Sequence, residues 1–174
     1  HLSGISTHTE NLVKMLKGTN IKLADTRKTT PGLRIFEKYA FKCGGGVNHR
    51  MGLYDAAMIK ENHIAWTDNL KNAVKEIRLN SPFTTHIIIE AENIKQAKEA
   101  VLAGADSILL DELSPEIIKK GVEELRNLSI NSLSKEINKN LIIEVSGINP
   151  KEIDKYLIEG IDLISTSSSI TKSN

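Results

Sequence analysis

Six short apolar segments alternate with segments of helical character along this chain, and this alternation limits its fold more than any other feature. The apolar segments are residues 21–24, 56–59, 86–89, 107–110, 141–145 and 162–165. They are apolar at nearly every position rather than at every second one, as is typical of parallel strands buried on both faces. Because strands that alternate with helices form a parallel sheet, we predict an α/β fold of about six parallel strands.

The segments between these strands carry helix signals. We predict helices at residues 2–17, 33–42, 67–79, 94–104, 115 to about 125, and 150–157. Ser114, Pro115 and Glu116 supply the N-cap, the proline at the first helical position and the acid of the first turn. Residues 127–140 are predicted to be a surface loop, and residues 166–169 a hydroxyl-rich loop.

Polar side chains follow the predicted strands directly. They are residues 25–28, Lys60, Glu90, Asp111, Ser146 and Gly147, and Ser165 and Thr166. A TIM-like barrel gathers all such strand ends on one rim, whereas an open doubly wound sheet spreads them along an edge. The glycine-rich fingerprint of the open nucleotide-binding sheet is also missing from the sequence. We therefore predict a TIM-like α/β barrel.

The composition indicates one folded domain over residues 1–174. Hydrophobic residues make up 40% of the chain and charged residues 26%, as in ordinary globular proteins. No apolar run approaches the roughly 18–20 residues needed to cross a bilayer, so we expect no membrane partner. The single Cys43 cannot form an internal disulfide, which favours a reducing, cytoplasmic location.

Cationic residues are concentrated in one part of the chain. Residues 22–60 contain eight Lys or Arg against three acids, although the whole chain has a net charge of only +1. These cations stand singly or in pairs beside turns, and aromatic residues are scarce, so we expect no nucleic-acid partner. Arg27, His49, Arg50 and Lys60 would instead suit a planar dicarboxylate, because guanidinium groups bind carboxylates with two parallel hydrogen bonds.

Carboxylates and hydroxyls complete the predicted rim. Glu90 and Asp111 could form helix caps or rim salt bridges, bind sugar hydroxyls or a diphosphate-bound Mg²⁺, or stabilise a developing oxocarbenium ion. Ser146 and Gly147, together with the hydroxyls of residues 166–169, are typical of a phosphate site after the late strands of a barrel.

Several stretches of the sequence resemble the quinolinate phosphoribosyltransferase family, the carboxylating nicotinate-nucleotide diphosphorylases. They are LSGIST (2–7), DTRKTTPGLR (25–34), residues 37–64 with the motif GGGVNHR, residues 91–116, and IEVSGINP (143–150). DTRKTTPG followed by GGGVNHR is highly specific, and the resemblance covers nearly the whole chain in order.

The resemblance implies an incomplete TIM-like barrel and a pentosyltransferase reaction. Ribose 5-phosphate passes from phosphoribosyl diphosphate to the ring nitrogen of quinolinate. Loss of the 2-carboxylate as CO₂ then gives nicotinate mononucleotide, an intermediate of NAD biosynthesis. Mg²⁺ is implied as the cofactor.

The resemblance also implies roles for the residues that match the family motifs. Arg27, His49, Arg50 and Lys60 would hold the quinolinate carboxylates; Lys28, Glu90 and Asp111 would engage phosphoribosyl diphosphate and its metal; and Ser146 and Gly147 would hold the 5-phosphate. Ser167 does not match the family motif, but we also predict that it binds substrate, because a serine hydroxyl can bind phosphate. Lys60, Glu90 and Asp111 are the expected catalytic residues. At five positions the chain departs from the family: a glycine is missing after Gly147, and Ser167, Lys172, Ile88 and Glu112 replace a usual Gly, His, Glu and Asn.

Family members also carry an N-terminal α+β domain of roughly a hundred residues. They use an arginine from the neighbouring subunit in the active site. The chain starts at His1 rather than Met, so we expect it to be the C-terminal barrel region of a longer homodimer or higher homo-oligomer.

Two other functions are compatible with the same pattern. One is a related phosphoribosyltransferase of different acceptor, such as the molybdenum-locus homologue, but the four acceptor-site residues favour a dicarboxylate. The other is a non-catalytic barrel that binds anions or sugar phosphates. Glu90 and Asp111 argue against it, because added carboxylates would weaken a pure anion site.

Overall fold

A single parallel sheet organises the chain in the computed structural model, which describes residues 1–64, 69–131 and 140–172. Its six strands are β1 (Lys22–Ala24), β2 (Ala56–Ile59), β3 (His86–Ala91), β4 (Ser107–Asp111), β5 (Ile142–Ser146) and β6 (Leu163–Ser165). They pair in the order β1-β6-β5-β4-β3-β2, and every pairing is parallel. The predicted α/β fold of six parallel strands is confirmed.

Helices connect the strands. They are α1 (Leu2–Met15), α2 (Arg34–Cys43), α3 (Glu61–Ile64), α4 (Leu70–Asn80), α5 (Ile94–Leu102), α6 (Pro115–Asn131) and α7 (Ser168–Thr171), with a 3-10 helix at Pro150–Tyr156. Three of these helices have an asparagine as N-cap: Asn69, Asn93 and Asn149. The side chain of each asparagine accepts a hydrogen bond from a backbone N–H of the first turn. None of the helices within the described ranges is long and apolar enough to span a bilayer.

The strand order is that of a barrel left open between β1 and β2. Residues 47–50 lie at this opening. Val47 extends the edge of β1, because its N–H donates to Leu23 O (2.8 Å) and its carbonyl accepts from Asp25 N–H (3.2 Å). Arg50 Nη1 donates to Ala56 O of β2 over 2.9 Å. One short segment therefore links both edge strands.

The two faces of the sheet have different surroundings. Alternate strand residues such as Ile87, Ile108 and Ile143 belong to the large core that includes helix residues. Residues of the opposite parity, Ala56, Ile88 and Leu109, form a separate small cluster. This second cluster lies on the inner face of the barrel, where it supports the strand ends that carry polar side chains.

Two local predictions are wrong. Helix α6 continues to Asn131 because Leu125 and Ser129 remain buried on its inner side, so residues 127–131 are not loop; residues 132–139 of the predicted loop lie outside the described residues. Residues 168–171 form helix α7, whose first turn is tied to Thr166 Oγ1 by the N–H of Ser168 (3.1 Å). The helix predicted at residues 150–157 is present as a 3-10 helix, Pro150–Tyr156. The predicted residues 67 and 68 of α4 also lie outside the described part.

Candidate active site

A cavity of about 350 Å³ opens at the carboxyl ends of the strands. Its lining includes all predicted site residues except Gly147 and Ser167: Arg27, Lys28, His49, Arg50, Lys60, Glu90, Asp111 and Ser146. Thr26, Met58, Leu109, Glu144 and Ser165 also line it, and the sequence analysis did not assign them a role in the site. The parallel strands thus gather residues that are far apart in sequence, as the barrel prediction requires.

Strands β2, β3 and β4 deliver the catalytic candidates. Lys60 Nζ lies 2.6 Å from Glu90 Oε2, and the carboxylate side chain is only 10% exposed against 44% for Lys60. Burial raises the pKa of Glu90 above its usual value; the Lys60 ammonium opposes this shift, and Asp111 adds to it. Asp111 pairs in register with Ser146 of β5, which places both at the same level of the rim.

A buried ion pair positions the His49 segment. Lys38 of α2 and Asp25, directly after β1, are both fully buried and form a salt bridge. Asp25 also accepts hydrogen bonds from His49 N–H (2.8 Å) and Asn48 Nδ2 (2.7 Å), while Lys38 Nζ donates to His49 O (3.0 Å). The network fixes the backbone from which His49 and Arg50 reach into the cavity.

The ring of His49 is oriented by its two neighbours. Its Nδ1 accepts the backbone N–H of Arg50 over 2.8 Å, so the neutral ring carries its hydrogen on Nε2. That Nε2 lies 3.2 Å from Glu144 Oε2. Both ring nitrogens are therefore engaged by protein groups, and Glu144 is the direct partner of His49.

Arg27 and Arg50 differ in how much of their hydrogen-bonding capacity is already used. Arg50 donates to Ala56 O and lies 3.4 Å from Met58 Sδ, whereas Arg27 Nε is buried with no hydrogen-bond partner among the described residues. Arg34 holds the backbone beneath them, donating to Arg27 O (3.3 Å) and Met51 O (3.2 Å). Burial and the nearby Arg27 charge lower the pKa of Arg50. Arg27 thus keeps a hydrogen-bond donor that an anionic ligand could use.

The loop after β5 requires glycine. Gly147 has φ +73°, and a Cβ at this position would meet Glu112 N at 2.9 Å and Asp111 Oδ1 at 3.0 Å. Glu112 itself has φ +54°, which is unusual for a residue other than glycine. Gly147 thus allows the β5 loop to pack against the end of β4. Its predicted role in 5-phosphate binding, and that of Ser167, stay predictions.

Glu144 is the site residue that sequence analysis should have found. It interrupts the otherwise apolar strand IIEVS and is only 2% exposed. Because strand side chains alternate between faces, it lies on the same face as Ser146, two residues later. A carboxylate in mid-strand, at the parity of a predicted rim residue, was the available signal.

No group of three or more His, Cys, Asp and Glu side chains is arranged to hold a metal ion within the described part of the chain. Glu90 and Asp111 line the same cavity. Mg²⁺ is commonly bound by one or two carboxylates together with substrate phosphates. The donor set fits that mode rather than an all-protein metal site.

Comparison with known proteins identifies the family. The protein-family model described as the quinolinate phosphoribosyl transferase C-terminal domain matches residues 5–174 of this chain. The chain belongs to this quinolinate phosphoribosyl transferase family. The predicted resemblance is thereby confirmed over nearly the entire chain.

Individual relatives of this quinolinate phosphoribosyl transferase domain carry one name. A "probable nicotinate-nucleotide pyrophosphorylase (carboxylating)" from Methanothermobacter thermautotrophicus is 42% identical over 167 residues, which are 94% of this chain and 57% of the relative. A protein of the same name from Bacillus subtilis is 48% identical over 118 residues, 68% of this chain and 41% of the relative. The chain therefore spans 57% of the length of the first relative and 41% of the length of the second.

Solved structures support the same fold. The crystal structure of NadC from Streptococcus pyogenes superposes with a TM-score of 0.85 at 38% identity. The match covers 99% of this chain and 57% of the NadC chain. The six-stranded open barrel is thus the shared architecture of this part of the family.

Proposed function

We propose that the protein transfers the phosphoribosyl group of phosphoribosyl diphosphate to quinolinate with decarboxylation, giving nicotinate mononucleotide, diphosphate and CO₂ for NAD biosynthesis. One observation carries the proposal. Arg27, Lys28, Arg50 and Lys60 share a cavity with Glu90 and Asp111 at the strand ends. Such a cavity offers cations for a planar dicarboxylate and carboxylates for a sugar diphosphate.

Arg27, His49, Arg50 and Lys60 form the proposed acceptor half of the site. The unpartnered Arg27 Nε and the remaining donors of Arg50 would bind the two carboxylates of quinolinate. Lys60, already bonded to Glu90, would contact the acceptor next to the phosphoribosyl group. His49 would shape the acceptor half together with Glu144 rather than bind the acceptor directly. Both of its ring nitrogens already contact protein groups, the Arg50 N–H and Glu144 Oε2.

Lys28, Glu90, Asp111 and Ser146 form the proposed donor half. Glu90 and Asp111 would bind the ribose hydroxyls and the Mg²⁺ that accompanies the diphosphate, and stabilise positive charge at the sugar carbon under attack. Mg²⁺, when bound, would neutralise charge on the departing diphosphate. Lys28, exposed at the mouth of the cavity, and Ser146 would bind phosphate groups.

Calorimetric titration of the natural full-length protein with quinolinate and with nicotinate tests this function. We expect clear preference for quinolinate, since nicotinate lacks the second carboxylate that the paired arginines would bind. Equal affinity for both, or no binding of quinolinate, would refute the proposed acceptor. Release of diphosphate when phosphoribosyl diphosphate is added would separate the enzyme from a non-catalytic anion-binding barrel.

We also propose a homodimer and a cytoplasmic location. Ile35, Phe36 and Tyr39 of α2 are 72%, 57% and 69% exposed, an apolar helix face that a second copy of the protein would cover. Cys43 is an exposed free thiol, which suits a reducing compartment.

A further inference from the structure

Glu144 separates two cavities inside the barrel. The upper cavity is the candidate active site, and a lower one of about 230 Å³ lies on the side of His86 and Ser107. Glu144, His49 and Arg50 line both. The three residues therefore form a polar wall at the position where TIM barrels normally carry bulky apolar residues.

Only one oxygen of Glu144 is used. Oε2 faces the His49 Nε2–H at 3.2 Å. Oε1 is buried and has no hydrogen-bond partner in the part of the chain that the structure describes. A buried carboxylate with an unused oxygen costs stability, whereas an amide or an apolar residue would cost less. A ligand or a proton at Oε1 would offset this cost.

The charge of the upper cavity changes sign when a dicarboxylate enters. Its cations Arg27, Lys28, Arg50 and Lys60 outnumber its carboxylates Glu90, Asp111 and Glu144 by one. Asp55 and His86 line the lower cavity beside the same wall. A dianion therefore leaves the upper cavity one negative charge in excess, and uptake of one proton restores neutrality.

The contacts of the three carboxylates favour Glu144 as the site of that proton. Glu90 has the Lys60 ammonium at 2.6 Å, and Asp111 is half-exposed to water. Glu144 has no cation at this distance, is only 2% exposed, and has as its partner His49 Nε2, on a ring whose Nδ1 accepts the Arg50 N–H. We propose that Glu144 takes up a proton when quinolinate binds and donates it to the ring carbon after CO₂ leaves. This inference rests on the proposed function.

The proposed step balances. The bond between the ring carbon and its 2-carboxylate breaks, CO₂ departs, and the electron pair remains on that carbon. The O–H bond of Glu144 then breaks and a C–H bond forms, which returns Glu144 to the carboxylate. His49 Nε2–H stabilises the new carboxylate and acts as a positioning residue. The proton comes from solvent, by way of the lower cavity, where His86 Nε2 lies 2.5 Å from Ser107 Oγ.

Calorimetry in buffers of different ionisation enthalpy measures the proton directly. The natural full-length protein is titrated with quinolinate at constant pH in two such buffers, and the difference in heat gives the protons taken up per ligand. We expect an uptake of about one for the wild type, from the charge argument above. Binding without proton uptake overturns this inference and leaves the proposed function intact. Absence of binding overturns both.

The Glu144→Gln variant assigns the proton to a residue. Glutamine keeps an oxygen for His49 Nε2–H but carries no acidic proton. We expect quinolinate affinity within a few-fold of wild type, no proton uptake, and turnover reduced about 10²- to 10⁴-fold, the usual range for loss of a general acid. Glu123→Gln, an exposed carboxylate of α6, is the matched control and should keep both proton uptake and turnover.

Two further results decide against Glu144. Uptake that persists in Glu144→Gln would move the proton to another group, such as Glu90, whose pKa burial already raises. Turnover equal to wild type would exclude the proton-donor role.

If Glu144→Gln does not fold, as judged by circular dichroism, His49→Asn is measured instead. Asparagine can still accept the Arg50 N–H but removes the hydrogen bond to Glu144, so turnover should fall, and an unchanged turnover would contradict the proposal.

Discussion

Arg27 and Arg50 line the same cavity, yet they differ in the hydrogen bonds that they already make. Arg50 is anchored to β2 through Ala56 O, so part of its guanidinium is committed to the fold. Arg27 keeps a buried Nε without a partner among the described residues. A buried donor that has no hydrogen-bond partner can bind a carboxylate without first breaking another hydrogen bond. Arg27 should therefore contribute more binding energy per hydrogen bond than Arg50.

Replacing Arg27 by alanine tests this difference. We expect quinolinate affinity to fall about 10- to 100-fold, because each hydrogen bond to a charged group contributes about 1.5–3 kcal/mol. Calorimetric titration measures the loss. Lys42→Ala removes an exposed cation of α2 as the control and should leave the affinity unchanged. Wild-type affinity in Arg27→Ala would remove this residue from the acceptor site.

Glu90 makes the stability of the fold depend on pH. Burial raises its folded-state pKa above the ordinary value, so its contribution to stability is largest below that ordinary value and is lost as pH rises through the folded-state pKa. At neutral pH the ionised carboxylate therefore costs stability. Lys60, 44% exposed, can find water if its partner is removed.

We expect Glu90→Gln to raise the free energy of unfolding at pH 7, with an advantage over wild type that shrinks as the pH approaches about 4. Urea denaturation at both pH values measures this difference. The exposed neighbour Glu92, changed to Gln, serves as the control. A stability gain that does not vary with pH would show that burial of the charge is not its cause. Turnover should fall in the same variant, since Glu90 is a proposed catalytic residue.

Among single residues, the sequence predicts those that directly follow an apolar run and misses one that stands inside such a run. Lys60, Glu90 and Asp111 each end a visibly apolar run, and the structure places all three in one cavity. Glu144 lies two residues before the end of β5, and its apolar neighbours in sequence indicate an ordinary core strand. Its contact with His49 joins two positions that are 95 residues apart in sequence, and no local pattern encodes such a contact.

At the scale of elements, helix α2 joins the fold to the site. Its Lys38 reaches the carboxyl end of β1 and pairs with Asp25, and both side chains also bond to the backbone of His49. Desolvation raises the pKa of Asp25, and the Lys38 ammonium opposes this shift. A buried pair of this kind adds little net stability, but removing one partner leaves a buried charge alone.

Lys38→Met should therefore destabilise the protein by about 3–5 kcal/mol, the usual cost of breaking a buried ion pair from one side. Denaturant unfolding measures the change. Lys42→Met, an exposed lysine on the same helix, should shift stability by no more than about 0.5 kcal/mol. If the two variants unfold alike, Asp25 is held by its other donors, Asn48 Nδ2 and His49 N–H, and the ion pair has no structural role.

The predicted elements differ from the observed ones mainly where a polar surface masks a helix. Strands were recognised to within a few residues because burial on both faces leaves continuous apolar runs. Helix α6 is predicted to end at about Leu125 because the following residues, RNLSIN, are mostly polar in sequence and Ser129 is buried without being apolar. Helix α7 contains four residues, three of them hydroxyl-bearing, and such residues favour turns when judged locally.

At the scale of the whole molecule, the barrel is open and one helix face is uncovered. The segment that carries His49 and Arg50 spans the gap between β1 and β2, so these two proposed acceptor-site residues belong to the wall of the barrel itself. Beyond that wall, Ile35, Phe36 and Tyr39 occupy neighbouring positions on the outer face of α2. Clustered large apolar side chains on a surface mark an interface.

The dimer proposal predicts that a charge on this face separates the subunits. Ile35→Glu combined with Phe36→Glu should convert a dimer of the natural full-length protein to monomers, because the two carboxylates would have to be buried against apolar side chains. Light scattering coupled to size-exclusion chromatography measures the mass. Phe83→Glu, at a side chain that is 96% exposed outside α2, is the matched control and should remain dimeric. A double variant that keeps the dimer mass would place the subunit contact elsewhere, and a wild type of monomer mass would refute the dimer.

Turnover measured in parallel tells whether the monomer still has a complete active site. Helix α2 also carries Lys38, whose contacts fix the position of His49. Unchanged turnover would therefore show that this helix positions the site without help from the interface.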